Sequence, residues 1–155
     1  MNTISRFGRP ALLGTLAAAA LAAVSISALA DEVKLKLAGD QEVPPVATAA
    51  SGSGTLTINS DMTVAGSVTT TGVAGTMAHI HLGKAGANGP VAVPLTKSGD
   101  NTWAVPAGAK LTEAQYQAYR AGETYVNVHS AEHKGGEIRG QLNPPMAAPM
   151  SRPGY

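Results

Sequence analysis

The chain has 155 residues, contains no cysteine, and carries 11 basic against 10 acidic side chains. A formal net charge of +1 without a basic cluster argues against a nucleic-acid-binding surface. Without cysteine there can be neither disulfides nor thiolate metal sites, so a packed core must stabilise the fold.

The first 30 residues have the layout of a secretory signal peptide. Arg6 and Arg9 form a basic start, residues 11–24 are apolar, and Ala28-Leu29-Ala30 gives an Ala-x-Ala cleavage pattern. Cleavage before Asp31 would leave 9 basic and 10 acidic residues, because the segment holds two arginines and no acid. We therefore expect a periplasmic or secreted protein. No later apolar run approaches 20 residues, so we expect no stable membrane insertion after cleavage.

Short strands separated by turns are predicted along the rest of the chain. Apolar and polar residues alternate within short segments, and glycine, proline and asparagine mark the turns between these segments. The predicted strands are 33–37, 53–59, 63–71, 77–82, 91–95, a short segment around Trp103, 125–129 and 137–142. One helix is predicted over 111–121, opened by Leu-Thr-Glu and ended by Gly122.

This pattern predicts three parts: a signal peptide at 1–30, one all-β sandwich or barrel with a short helix at 31–143, and a disordered tail at 144–155. The tail is rich in proline, methionine and alanine, which oppose regular structure.

All four histidines fall in two clusters, His79–His81 and His129–His133. Side chains two apart in a strand point to the same face, so His79 and His81 can aim at one point. His129 is in phase with Tyr125 and Asn127, opposite the apolar Val126 and Val128. Imidazole is the commonest ligand for transition metals near neutral pH, and we predict a metal site made by His79, His81, His129 and His133.

Three nearby charged residues are candidates to support these ligands. Glu132 and Glu137 could orient an imidazole, and Arg139 could guide an anion to the site. Solvated turns and a simple ion pair remain alternatives for them, and His79 and His81 could instead be histidines bonded to backbone carbonyls. His133 is the weakest ligand candidate because it falls in a predicted loop.

Four blocks of sequence resemble the chordin-type (CHRD) domain family. They occur in order as LAGDQEVPPV at 37–46, AHIHLG with NGPV at 78–91, GETYVNVHS at 122–130 and HKGGEIRGQL at 133–142. The resemblance covers nearly the whole mature chain and implies an extracytoplasmic β-rich module, without settling its biochemistry.

A looser resemblance is to the Greek-key β-sandwich of Cu,Zn superoxide dismutases, on the strand His-x-His followed by later histidines. By that analogy His79 and His81 match the strand pair of the copper centre, and His129 or His133 supplies the rest. The chain lacks the family's cysteine pair and an obvious histidine-rich zinc loop, so dismutase activity does not carry over.

Together these features predict an exported protein that binds one transition metal. Copper is the first candidate and zinc the second. A binding protein is favoured over an enzyme. One alternative is a metal-free module that binds a protein or glycan and has no cofactor. Another is a dismutase-like copper enzyme. No protein partner can be named from these residues.

Overall fold

A computed structural model describes residues 30–145 of the chain. The predicted signal peptide, apart from Ala30, and the tail from residue 146 onward lie outside the described residues. Within the described part, no helix is both long and apolar enough to cross a membrane.

Nine strands form one antiparallel sheet that nearly closes into a barrel. They are β1 (Ala30–Ala38), β2 (Ser51–Asn59), β3 (Val64–Thr71), β4 (Gly75–Leu82), β5 (Val91–Pro94), β6 (Thr96–Gly99), β7 (Thr102–Ala104), β8 (Thr124–Ser130) and β9 (Ile138–Gln141). Their order in the sheet is β5-β4-β8-β9-β1-β2-β3-β7-β6. The two edge strands, β5 and β6, are joined by Leu95 alone, whose N–H donates to the Ala78 carbonyl at 2.9 Å. The two edges are therefore close together without pairing, and the all-β expectation with one helix is confirmed.

The barrel interior is filled by the apolar positions of the alternating strands. Val33, Leu35 and Leu37 of β1 are buried while the lysines between them are exposed. Val126 and Val128 of β8 and Ile138 of β9 are fully buried. Because side chains alternate between the faces of a strand, the residues between these must lie on the outer face of the sheet.

Helix α1 (Glu113–Arg120) begins two residues later than predicted. Thr112 is its N-cap, and Thr112 and Gln115 form a reciprocal capping box. Leu111 precedes the cap and is buried in the core. The helix therefore starts after the cap at Thr112 and not at Leu111 as predicted.

One strand was absent from the sequence prediction. All four residues of β6 are exposed, so no apolar alternation marks it. Its pairing with β7, from Thr96↔Ala104 to Gly99↔Thr102, makes it a strand. Trp103 of β7 is 3% exposed and so lies in the core.

Three loops fold over the outer face of β4, β8 and β9. They are the 39–46 segment, which starts with a short 3₁₀ turn, the 83–90 loop and the 131–137 loop. Asn88 Nδ2 donates to the Val43 carbonyl at 2.7 Å and so ties the first two loops together. This cover explains why several polar side chains on an outer face are buried.

Candidate metal centre

His79, His81 and His129 converge on the outer face of the β4–β8 pair. One nitrogen from each ring lies within 4.8 Å of those of the other two, a spacing that could hold a metal ion. The register explains the convergence: Met77 lies opposite His129, and His79 lies opposite Asn127, so His79 and His129 are diagonal neighbours. His81 follows two positions along β4 on the same face.

Backbone carbonyls determine which nitrogen of two of these rings carries the proton. His81 Nδ1 is 2.9 Å from the Gly89 carbonyl oxygen, and His129 Nδ1 is 2.8 Å from that of Lys134. A carbonyl only accepts, so both Nδ1 atoms must be protonated and both Nε2 atoms of the neutral rings carry lone pairs. His79 Nδ1 is 2.9 Å from His129 Nε2 and therefore donates to it.

Burial lowers the pKa of two of the imidazoles, those of His79 and His81. His81 and His129 are 8% and 6% exposed, whereas His79 is half-buried. Burial, followed by the neighbouring histidines, lowers the pKa of His79. Burial also lowers the pKa of His81, partly offset by its bond to the Gly89 carbonyl. Both rings therefore remain neutral, and able to bind a metal, at lower pH than a free histidine would.

A stack of flat groups holds His81 from the side. The Tyr125 ring lies nearly parallel to the His81 ring, at 7° and 5.0 Å between centroids. On the Tyr125 ring rests the Arg139 guanidinium, 3.4 Å from the centroid. Arg139 is 1% exposed and donates to the Lys84 carbonyl at 3.0 Å and to Gln141 Oε1 at 3.2 Å. The position of His81 therefore depends on a buried cation–π contact as well as on the 83–90 loop.

A second buried polar group adjoins this stack. Glu42 is 4% exposed, and burial raises its pKa to about 6 against the opposing charge of Arg139 and a hydrogen bond from Asn127. Asn127 also interacts with His81 and so stands between the carboxyl and the imidazole. Glu42 Oε1, Asn127 Oδ1 and His81 Nε2 are three of the four buried side-chain atoms without a well-formed hydrogen bond in residues 30–145. Unsatisfied polar atoms of this kind are costly unless something binds them.

Comparison with protein families identifies the domain. The CHRD domain family matches residues 33–142, which is most of the chain. The chain belongs to the CHRD domain family. No curated protein and no solved structure matches it significantly. CHRD domains are generally extracellular, and the match coincides with the barrel from β1 to β9.

The CHRD domain brings together three of the four predicted histidine ligands and keeps the fourth apart. His133 is outside the converging group; its backbone N–H donates to Ser130 Oγ at 3.1 Å and its carbonyl accepts from Ser130 N–H and Gly136 N–H. Its place is in the 131–137 loop, whose Lys134 carbonyl orients His129. The backbone of His133 helps to hold the 131–137 loop in place, but no nitrogen of its ring belongs to the converging group.

The three predicted supporting residues have different surroundings in the CHRD domain. Glu132 is exposed on the 131–137 loop. Glu137 is buried, and its Oε1 accepts a hydrogen bond from Thr48 Oγ1 at 2.9 Å. Arg139 is the one that reaches the site, through Tyr125. Arg139 is 1% exposed, and its contact with the site runs through the Tyr125 ring.

Sequence reasoning missed Glu42, Asn127 and Tyr125 as parts of the site. A signal was present, because Asn127 and Tyr125 share the strand phase of His129, and Glu42 lies within the first block of the family resemblance. Alternation predicted which face of the strand Asn127 and Tyr125 lie on, but not which side chains they contact there. The position of Glu42 depends on a loop that folds back over the sheet, which no periodicity reveals.

Proposed function

We propose that this protein is an exported CHRD-domain protein that binds one transition-metal ion through His79, His81 and His129. The observation that carries the proposal is the convergence of their ring nitrogens within 4.8 Å. Export is supported by the signal-like first 30 residues and by the generally extracellular occurrence of CHRD domains.

The hydrogen bonds around the histidines favour a preformed site. Metal-binding histidines usually donate their second ring N–H to a carbonyl or carboxylate, which orients the ring. His81 and His129 both do so, to Gly89 and Lys134. Metal–nitrogen bonds of about 2.0 Å place two nitrogens on one ion roughly 3 Å apart. The 2.9 Å between His79 Nδ1 and His129 Nε2 matches that spacing. Metal binding would replace this hydrogen bond, with the His79 proton moving from Nδ1 to Nε2 so that Nδ1 can act as a ligand.

Copper is the metal that the ligand set favours, with zinc second. Three neutral imidazoles without a thiolate suit Cu(II) and Zn(II), and Cu(II) binds more tightly to a given nitrogen site. We propose binding rather than a reaction, since the three ligands suffice for binding. A bound copper ion would supply one-electron chemistry, which leaves a dismutase-like activity to be assayed on copper-loaded protein.

The direct test is metal titration of protein purified without an affinity tag. We expect about one Cu(II) per chain and a higher melting temperature in its presence, because a ligand at about 100 times its Kd stabilises the native state by about 2.7 kcal/mol. The double variant His79→Ala/His81→Ala should lose both effects while keeping its β-dominated circular dichroism.

His133→Ala is the matched control, because it removes an imidazole from the 131–137 loop without removing a converging nitrogen. It should bind copper within a few-fold of the wild type. The metal proposal fails if the wild type binds neither Cu(II) nor Zn(II) better than the double variant.

A pocket beside the histidines supports a second candidate, a metal-free binding module. It has a volume of about 360 Å³, lies between the 39–46 segment and the 83–90 loop, and contains Glu42 and Arg139 in its wall. The histidines are not among its lining residues. A wild type that fails to bind metal would favour this candidate, with the Glu42 pocket as the place where a protein or glycan group is held.

A further inference from the structure

Two large apolar side chains are exposed in the described part of the chain, and both border the histidine cluster. Met77 is 50% exposed and pairs with His129, and Val91 is 47% exposed and pairs with His81. We propose that Met77 is a further ligand of the ion held by the three histidines, and that its thioether gives the site affinity for Cu(I). The inference rests on the proposed metal binding and extends it to the oxidation state.

The strand register places Met77 beside two of the three ligands. It lies on β4 two residues before His79 and directly opposite His129 on β8. Directly opposed residues on one face of an antiparallel pair have Cβ atoms about 4.5–5.5 Å apart. Methionine is unbranched and flexible, so its sulfur can adjust to an ion between these neighbours.

A local irregularity of β4 turns Met77 toward the histidines. A side chain at Gly75 would meet Trp103 and Val128, so that position faces the core. The register of β4 against β8 shifts between Gly75 and Met77, and the core-facing positions then continue at Ala78 and Ile80. Strict alternation from Gly75 would have turned Met77 inward; the shift places it on the outer face with His79 and His81.

Met77 also lies at the accessible side of the cluster. His81 and His129 are buried under the 83–90 and 131–137 loops, whereas His79 is half-buried and Met77 half-exposed. An ion arriving from solvent therefore meets Met77 and His79 before the two buried rings.

The chemistry of the added ligand is selective. Thioethers are soft ligands that favour Cu(I), while zinc and Cu(II) prefer imidazole and oxygen. Three imidazoles alone account for Cu(II) or Zn(II), so Met77 should matter for Cu(I) and little for zinc.

The test compares the full mature chain with its Met77→Leu variant, in which sulfur is lost and side-chain size is kept. Cu(I) affinity is measured anaerobically by competition with a coloured Cu(I) chelator, and Zn(II) affinity by the corresponding zinc competition. We expect Met77→Leu to weaken Cu(I) binding by about tenfold or more, as removing a group that supports a metal site commonly does. Zn(II) affinity should change by less than about twofold, since zinc gains little from a thioether.

The matched control is the double variant Met146→Leu/Met150→Leu, which removes the two methionine sulfurs of the tail. It should bind Cu(I) as the wild type does. X-ray absorption of the Cu(I) protein gives a second readout, because copper–sulfur scattering should be present in the wild type and the tail variant and absent in Met77→Leu.

Each outcome bears on one proposal. Equal Cu(I) affinity of wild type and Met77→Leu, or sulfur scattering that persists in Met77→Leu, overturns the Met77 assignment. A wild type that binds Cu(II) or Zn(II) but not Cu(I) also overturns it and leaves the proposed function standing. A wild type that binds none of the three ions refutes the proposed function and this inference with it.

Discussion

Glu42 is a buried carboxyl group whose ionisation should make the stability of the domain depend on pH. Its pKa is about 6 in the folded protein against an ordinary value of 4.5, because burial disfavours the charged form. The folded protein therefore holds this proton more tightly than the unfolded chain does. The destabilisation by the ionised carboxylate is fully present above pH 6 and is lost as the pH falls through 4.5.

We expect Glu42→Gln to remove this dependence. The rise from 4.5 to about 6 corresponds to about 2 kcal/mol at most. Urea unfolding of metal-free protein at several pH values measures it. The stability of the variant relative to wild type should increase by up to that amount between pH 4 and pH 7. His79 and His81, whose lowered pKa values act in the opposite direction, cancel in the difference. A difference that stays flat across this range would contradict the prediction.

The loops that cover the histidine face act as elements of the site, and the 131–137 loop offers a sharp test. Gly136 has a φ of +133°, and a Cβ there would clash with Glu42 Oε1 and with Asn127 Nδ2. Gly135, its neighbour, would place a Cβ in open space. The two glycines lie in the same loop, but only Gly136 is in close contact with other groups, so Gly135 can serve as its control.

We expect Gly136→Ala to destabilise the domain by about 1–3 kcal/mol, through strain at a backbone conformation that alanine disfavours and displacement of buried polar groups. Metal affinity should fall as well, because the same loop carries the Lys134 carbonyl that orients His129. Gly135→Ala should remain within about 0.5 kcal/mol of the wild type. Denaturant unfolding and copper titration of the pair measure both effects. Equal behaviour of the two variants would show that the close approach at Gly136 is not required.

At the scale of the whole molecule, the boundary of the folding unit is testable at its C-terminal end. Leu142 is 2% exposed and its N–H donates to the Thr124 carbonyl, so it belongs to the barrel. The residues that follow include Pro144, Pro145, Pro149 and Pro153, and composition alone predicts a dispensable tail.

A chain that ends at Asn143 should keep its melting temperature. A chain that ends at Gln141 should melt more than about 5 °C lower, because loss of a buried leucine costs about 2–5 kcal/mol. Thermal unfolding of the two truncated proteins makes the comparison. A drop of that size on removing only residues 144–155 would mean that the tail packs against the domain.

Local patterning was sufficient to predict most strands, the shared face of His79 and His81, and the position of His129 opposite the core residues of its strand. The CHRD family was indicated by the resemblance of four sequence blocks. Strand alternation is a property of neighbouring residues, so Val126 and Val128 could be assigned to the core and His129 to the opposite face. It failed where the pattern is absent or interrupted. The exposed β6 has no alternation, and the cap at Thr112 shifted the start of α1.

Only the tertiary structure decided which groups meet. The pairing of β4 with β8 brings together histidines 50 residues apart, and that register depends on the core of the whole barrel. The exclusion of His133 from the converging nitrogens and the burial of Glu42 and Arg139 follow from how three loops fold over the sheet. Such loop contacts depend on long-range packing and hydrogen bonding. The periodicity of a single segment carries no information about either.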